Sequence, residues 1–113
     1  MDDLVVANEL NFQEEVLRST LPVLVDVSTE WCAPCKLATP IVAQIAKERR
    51  GTLKVVMIDG NECPELVASL GVRGFPTFVG FVEGQAVERR AGFGGKRALE
   101  AMAEALVEKK HQP

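Results

Sequence analysis

Leu21-Pro22-Val23-Leu24-Val25-Asp26-Val27-Ser28-Thr29-Glu30-Trp31-Cys32-Ala33-Pro34-Cys35-Lys36 decides how the rest of the chain is read. Its first half is rich in Val and Leu and too short for most helices. Near-continuous apolar character predicts a strand buried on both faces. Thr29-Glu30-Trp31-Cys32 reads as a loop. A helical pattern follows, with Leu37, Ile41 and Ile45 expected on one stripe. Pro40 sits inside that pattern and is expected to kink the helix. A strand, a Cys-x-x-Cys pair and a helix therefore follow one another directly.

Working outward, Leu4-Val5-Val6 suits a short first strand. Asn11 and Glu14 stand at capping-box spacing before a first helix through Val16, Leu17 and Arg18. Gly51 ends the central helix, and Lys54 to Ile58 reads as a strand. Pro64 suits a first helical turn, and Gly71 suits its stop. Thr77 to Val82 and Ala86 to Arg90 flank Glu83-Gly84-Gln85 as a hairpin. Leu99, Met102, Ala103, Leu106 and Val107 mark the clearest amphipathic helix. The order is β-α-β-α-β-α-β-β-α. Strands separated by helices pair in parallel, and the hairpin adds antiparallel pairs. The expected fold is α/β, a mixed central sheet with helices on both faces. A single domain over 1–108 is expected, with 109–113 as a short tail.

Composition narrows the function. The chain has 113 residues, thirteen Lys and Arg, sixteen Asp and Glu, and a formal charge of −3. With no basic block, nucleic acid is a poor partner. No apolar run is long enough to span a bilayer, so no membrane partner is expected. Met1-Asp2-Asp3 is acidic and no h-region follows, so no secretory signal is expected. The three cysteines are an odd count, which argues against a disulfide-stapled secreted module.

At a helix N-terminus, Cys32 would face unpaired N–H groups and the positive helix end. Both favour thiolate and make it the attacking nucleophile. Cys35, nearly one turn on, would be shielded and act second. The rival is half of a zinc site. By count Cys63 and His111 could complete it, but nothing pairs them at ligand spacing, and the strand–helix context favours redox chemistry. Asp26 interrupts an apolar strand. Burial would raise its pKa, and such a carboxyl beside a thiol pair can exchange a proton with it. Cys63 has two readings, a small part-buried residue or a regulatory thiol activated by a helix N-terminus. Gly74-Phe75-Pro76-Thr77 opens a strand. The residues alone favour an ordinary trans proline there, and a cis bond would present the Phe75 backbone to an incoming chain. His111 reads as exposed and idle.

Taken together, Asp26, Trp31-Cys32-x-Pro34-Cys35-Lys36, Pro40, Gly71-x-Arg73-Gly74-x-Pro76-Thr77, Gly84 and Gly92 resemble the thioredoxin family. The resemblance covers about Leu4 to about Val107. It implies the thioredoxin fold, a cis bond at Pro76, Cys32 as attacking thiolate, Cys35 as resolving thiol and Asp26 as buried proton-transfer acid. It also implies a shallow apolar substrate groove, lined by Trp31, Ala33, Pro34, Gly74, Phe75, Pro76, Gly92 and Phe93.

The implied activity is reduction of protein disulfides by dithiol–disulfide exchange, with no bound cofactor and no metal. The implied partners are disulfide-containing proteins and a thioredoxin reductase, either an NADPH-dependent flavoprotein or a ferredoxin-linked enzyme. A cytoplasmic monomer is expected. The alternatives on the same fold are a disulfide oxidase or isomerase, and a non-catalytic binding subunit.

Four positions depart from the usual family pattern. Ala33 stands for Gly, Ser28 for Trp, Met57 for Lys and Gly60 for an apolar residue. Losing the ring at Ser28 is expected either to loosen packing beside the cysteines or to let Phe side chains fill the space. Losing the cation at Met57 is expected to leave the Asp26 pKa raised. Gly60 leaves the end of the third strand undefined.

Overall fold

The computed structural model describes residues 3–110. Its sheet holds β1 (Leu4–Ala7), β2 (Val23–Ser28), β3 (Lys54–Asp59), β4 (Thr77–Val82) and β5 (Gln85–Ala91). The spatial order is β1-β3-β2-β4-β5. β3 pairs parallel with both β1 and β2, while β4 pairs antiparallel with β2 and β5. β2 lies at the centre, and every one of its residues is buried. The helices are α1 (Ala33–Glu48), α2 (Pro64–Ser69) and α3 (Lys96–Lys110).

Two cores result from alternation along the strands. Val23, Val25 and Val27 join Val16, Cys63, Leu66 and Phe81 on one face. Leu24 joins Val42, Ile45, Phe78, Leu99 and Leu106 on the other, under α1 and α3. Gly80 lets Leu106 lie against the sheet, because a Cβ there would sit 2.9 Å from Leu106 Cδ1. Burying such a leucine contributes roughly 1.5–3 kcal/mol.

The turns follow their residues. Glu83 and Gly84 form a two-residue loop with φ of 51° and 79°, the backbone of a type I′ hairpin. After α2, the Gly71 and Val72 amides donate to Ala68 and Val67 oxygens. That is a Schellman stop with Gly71 at φ 69°.

Three expectations need correction. The first helix is instead a short π-helical turn, Gln13–Leu17, without a side-chain cap. Asn11 and Asn8 spend their side chains on the preceding turn: each Oδ1 accepts a backbone amide there. In α1 the buried face is Cys35, Ala38, Val42, Ile45 and Ala46, not the stripe with Leu37 and Ile41. Leu37 is 63% exposed and Ile41 half-buried. Pro40 lies inside α1, which continues past it, as a kinked helix also would. Finally, α3 continues to Lys110, with Lys109 and Lys110 ion-paired to Glu88 and Glu83. His111 lies outside the described residues.

Candidate active site

β2 feeds directly into the loop that carries Trp31 and Cys32. Cys32 is the N-cap of α1, with extended φ −100° and ψ 116°. Its sulfur accepts the Cys35 amide at 3.2 Å, and Pro34 in the first turn supplies a preset helical φ. Cys32 and Cys35 form a disulfide, with Cα atoms 5.2 Å apart. Their exposures differ. Cys32 is part-exposed, whereas Cys35 is 2% exposed and faces the sheet. An incoming thiol or disulfide therefore reaches Cys32.

The Phe75–Pro76 bond is cis. Thr77 Oγ1 donates to the Gly74 carbonyl at 2.8 Å, which closes the turn. The Gly92 amide donates to the Pro76 carbonyl at 2.8 Å, joining the turn to the end of β5. Cys32 Sγ lies 3.4 Å from the Phe75 carbonyl oxygen. A groove of about 490 Å³ runs past Gly74, Phe75, Pro76 and Gly92. Trp31, at 80% exposure, stands at the surface beside Cys32. Ala33 and Pro34 are also exposed. Phe93 instead packs part-buried against the core under α1 and α3.

Gly60 has a structural reason. A Cβ there would lie 2.7 Å from Phe75 Cζ. The glycine makes room for the Phe75 ring, and β3 ends one residue earlier, at Asp59.

Asp26 is fully buried. Burial pushes its pKa up to about 6, partly opposed by a hydrogen bond from Ser28. The Ser28 hydroxyl donates to Asp26 Oδ1, and Oδ2 has no hydrogen-bond partner among the described residues. Residues two apart on a strand share a face, so Leu24, Asp26 and Ser28 all point toward the α1 layer. Met57 is in register with Asp26 on β3, with no cation at that position. Sequence reading treated Ser28 as a lost ring and missed it as a hydrogen-bond donor. The i, i+2 spacing of two polar residues in an apolar strand was the available signal.

Ser28 and Met57 also line one pocket of about 380 Å³, with Cys35, Thr39 and Val6. No aromatic ring lines it. The pocket leaves an open space beside the buried sulfur of Cys35.

Cys63 is 3% exposed and free, and it belongs to the core on the opposite face of the sheet from α1. Burial first, then the charges of Glu9, Asp59 and Glu62, push its thiol up. Of the two readings of Cys63, this favours the small buried residue over a thiol activated by a helix end. It also separates Cys63 from the other two cysteines, so they cannot share a zinc ion. Among the described residues, no group of three or more His, Cys, Asp or Glu side chains converges. No helix among them is long and apolar enough to cross a membrane.

The family model for thioredoxin matches residues 3–106. Thioredoxin from Rickettsia felis is 42% identical over 89 residues, 79% of this chain and 85% of that protein. Thioredoxin from Rickettsia bellii is 40% identical over the same shares. Thioredoxin 1 from Nostoc sp. is 40% identical over 88 residues, 78% of this chain and 82% of its own length. A mixed sheet with a Cys-x-x-Cys pair capping its central helix defines a dithiol–disulfide exchange protein. The chain belongs to the thioredoxin family. It is a protein-disulfide oxidoreductase whose redox group is the Cys32–Cys35 disulfide. Thioredoxins need no bound cofactor, and the family works with a reductase and with disulfide-bearing substrates.

Proposed function

We propose that this chain is a cytoplasmic, monomeric reductant of protein disulfides. A reductase reloads it, either an NADPH-dependent flavoprotein or a ferredoxin-linked enzyme. In the reduced protein the Cys32 thiolate attacks one sulfur of a substrate disulfide. A mixed disulfide forms, and the second substrate sulfur leaves as a thiolate. Asp26, as carboxylate, then takes the Cys35 proton. The Cys35 thiolate attacks the Cys32 sulfur, closes the Cys32–Cys35 disulfide and expels the first substrate sulfur. Two electrons have passed from the protein to the substrate. The reductase returns them.

Substrate main chain lies along the backbone of Phe75, as in strand addition. Trp31, Ala33, Pro34, Gly74, Pro76 and Gly92 flank it. The observation that carries these roles is the asymmetry of the pair: a reachable Cys32 and a Cys35 at 2% exposure above a buried acid. A single Cys-x-x-Cys disulfide in a chain whose third cysteine stays free suits a reducing compartment.

Turnover with insulin as substrate, NADPH and a thioredoxin reductase tests the direction of flow. Wild-type protein should sustain NADPH consumption and Cys32→Ser should not. A protein that oxidises dithiol substrates but accepts no electrons from any reductase would contradict the proposal.

A further inference from the structure

The groove beside Cys32 carries a charge that the chain as a whole does not. The net charge is −3. Yet the charged residues lining the groove of Phe75, Pro76 and Gly92 are Arg73 and Arg89, with no carboxylate among its walls. Both arginines are exposed. Neither makes an ion pair among the described residues, although six other basic side chains do.

Arg89 is not free to wander. Its Nη2 donates to the Leu70 carbonyl, which holds the guanidinium over the stop of α2. A Cβ at Gly71 would stand 3.9 Å from that Nη2. The neighbouring charges on β5 do not cancel it. Glu88 is ion-paired to Lys109, and Arg90 is again basic. Glu30 and Asp59 line the other pocket, on the Ser28 side. An anchored guanidinium loses less side-chain entropy on meeting a carboxylate than a mobile one.

We propose that Arg73 and Arg89 select protein substrates with Asp or Glu close in sequence to the disulfide cysteine. This rests on the reading of the groove as the substrate site. With substrate main chain along Phe75, residues flanking the disulfide cysteine share the groove with both guanidinium groups. Pairs at a solvated rim act mostly on encounter rate and weaken in salt.

Two disulfide-bridged peptides, identical except for Glu or Lys flanking one cysteine, test this. Reduction by the wild-type protein is followed as kcat/KM at low and high salt. The Glu/Lys ratio should be about three- to tenfold at low salt and fall toward one at high salt. In Arg73→Gln/Arg89→Gln it should be near one at both. Arg73→Lys/Arg89→Lys, which keeps both charges, should retain most of the preference, and this tells loss of charge from damage to the fold. A wild-type ratio near one at low salt, or a preference that survives the double substitution, overturns the selection. Failure of the wild type to reduce either peptide would instead overturn the reading of the groove.

Discussion

The Ser28 hydroxyl donates to Asp26 Oδ1 inside the buried centre of the sheet, two residues along the same strand. It is the one hydrogen bond that Asp26's carboxyl group receives among the described residues, since Oδ2 has no partner. Ser28→Ala should therefore raise the Asp26 pKa above its value of about 6, because a donor to the charged form is lost. Titration of Asp26 by NMR in the oxidised protein checks this. Ser28→Thr, which keeps the hydroxyl, should hold the pKa near the wild-type value. Stability at pH 8 should also fall in Ser28→Ala, by about 1–3 kcal/mol for a buried carboxylate left without partners.

Asp26 should make stability depend on pH with an unusual sign. Its folded pKa, about 6, lies above the ordinary 3.8. The folded state then holds the proton more tightly than the unfolded state. The stability this proton adds is complete below pH 3.8 and is lost as pH rises through about 6. Asp26→Asn does not titrate. Urea denaturation of both oxidised proteins should show the variant gaining about 2–3 kcal/mol on wild type between pH 4 and pH 8. Shifts at Asp3 and Glu83 are common to both proteins and drop out of the difference.

Gly60 and Phe75 should behave as a coupled pair. Gly60→Ala drives a Cβ into the Phe75 ring and should cost about 1–3 kcal/mol, the usual range for overpacking. It should also raise KM for protein substrates, because the ring borders the groove. Phe75→Ile vacates the space, so the double variant should recover part of the stability. A double-mutant cycle by denaturant melts reads that coupling.

Cys63 should be inert in the folded protein. With the Cys32–Cys35 disulfide intact, iodoacetamide should modify Cys63 only as fast as the protein unfolds. Buried thiols with raised pKa supply little thiolate. Mass spectrometry across a urea series checks this, and rapid labelling in buffer alone would return Cys63 to the list of reactive groups.

Elements with strong local signals were readable from sequence. The hairpin follows from Glu83-Gly84, which take the positive φ their turn needs. The three- and four-residue spacing in α3 places Leu99, Met102, Ala103 and Leu106 in the core as expected. The phase of α1 is harder to read, because Leu37, Ile41 and Ile45 repeat every four residues and also suit a helical stripe. Cys35 has to face the sheet, and that sets Ala38, Val42, Ile45 and Ala46 inward. Small residues such as Ala38 and Ala46 carry little weight in a hydrophobic pattern but permit close approach to the strands.

The capping box at Asn11 and Glu14 failed for a different reason. Asn8 and Asn11 satisfy a turn that precedes the helix. Most of the groove is visible as a motif, yet Arg89 enters it through β5. Only the pairing of β4 with β5 places that residue there.

In the proposed mechanism Cys32 attacks and Cys35 resolves. Incubating Cys35→Ser and Cys32→Ser separately with a disulfide-bonded substrate, then quenching with acid, tests it directly. Cys35→Ser should accumulate a covalent adduct that peptide mapping places on Cys32, released by dithiothreitol. Cys32→Ser should accumulate none. An adduct on Cys35 in Cys32→Ser, or sustained turnover by that variant, would contradict the assignment.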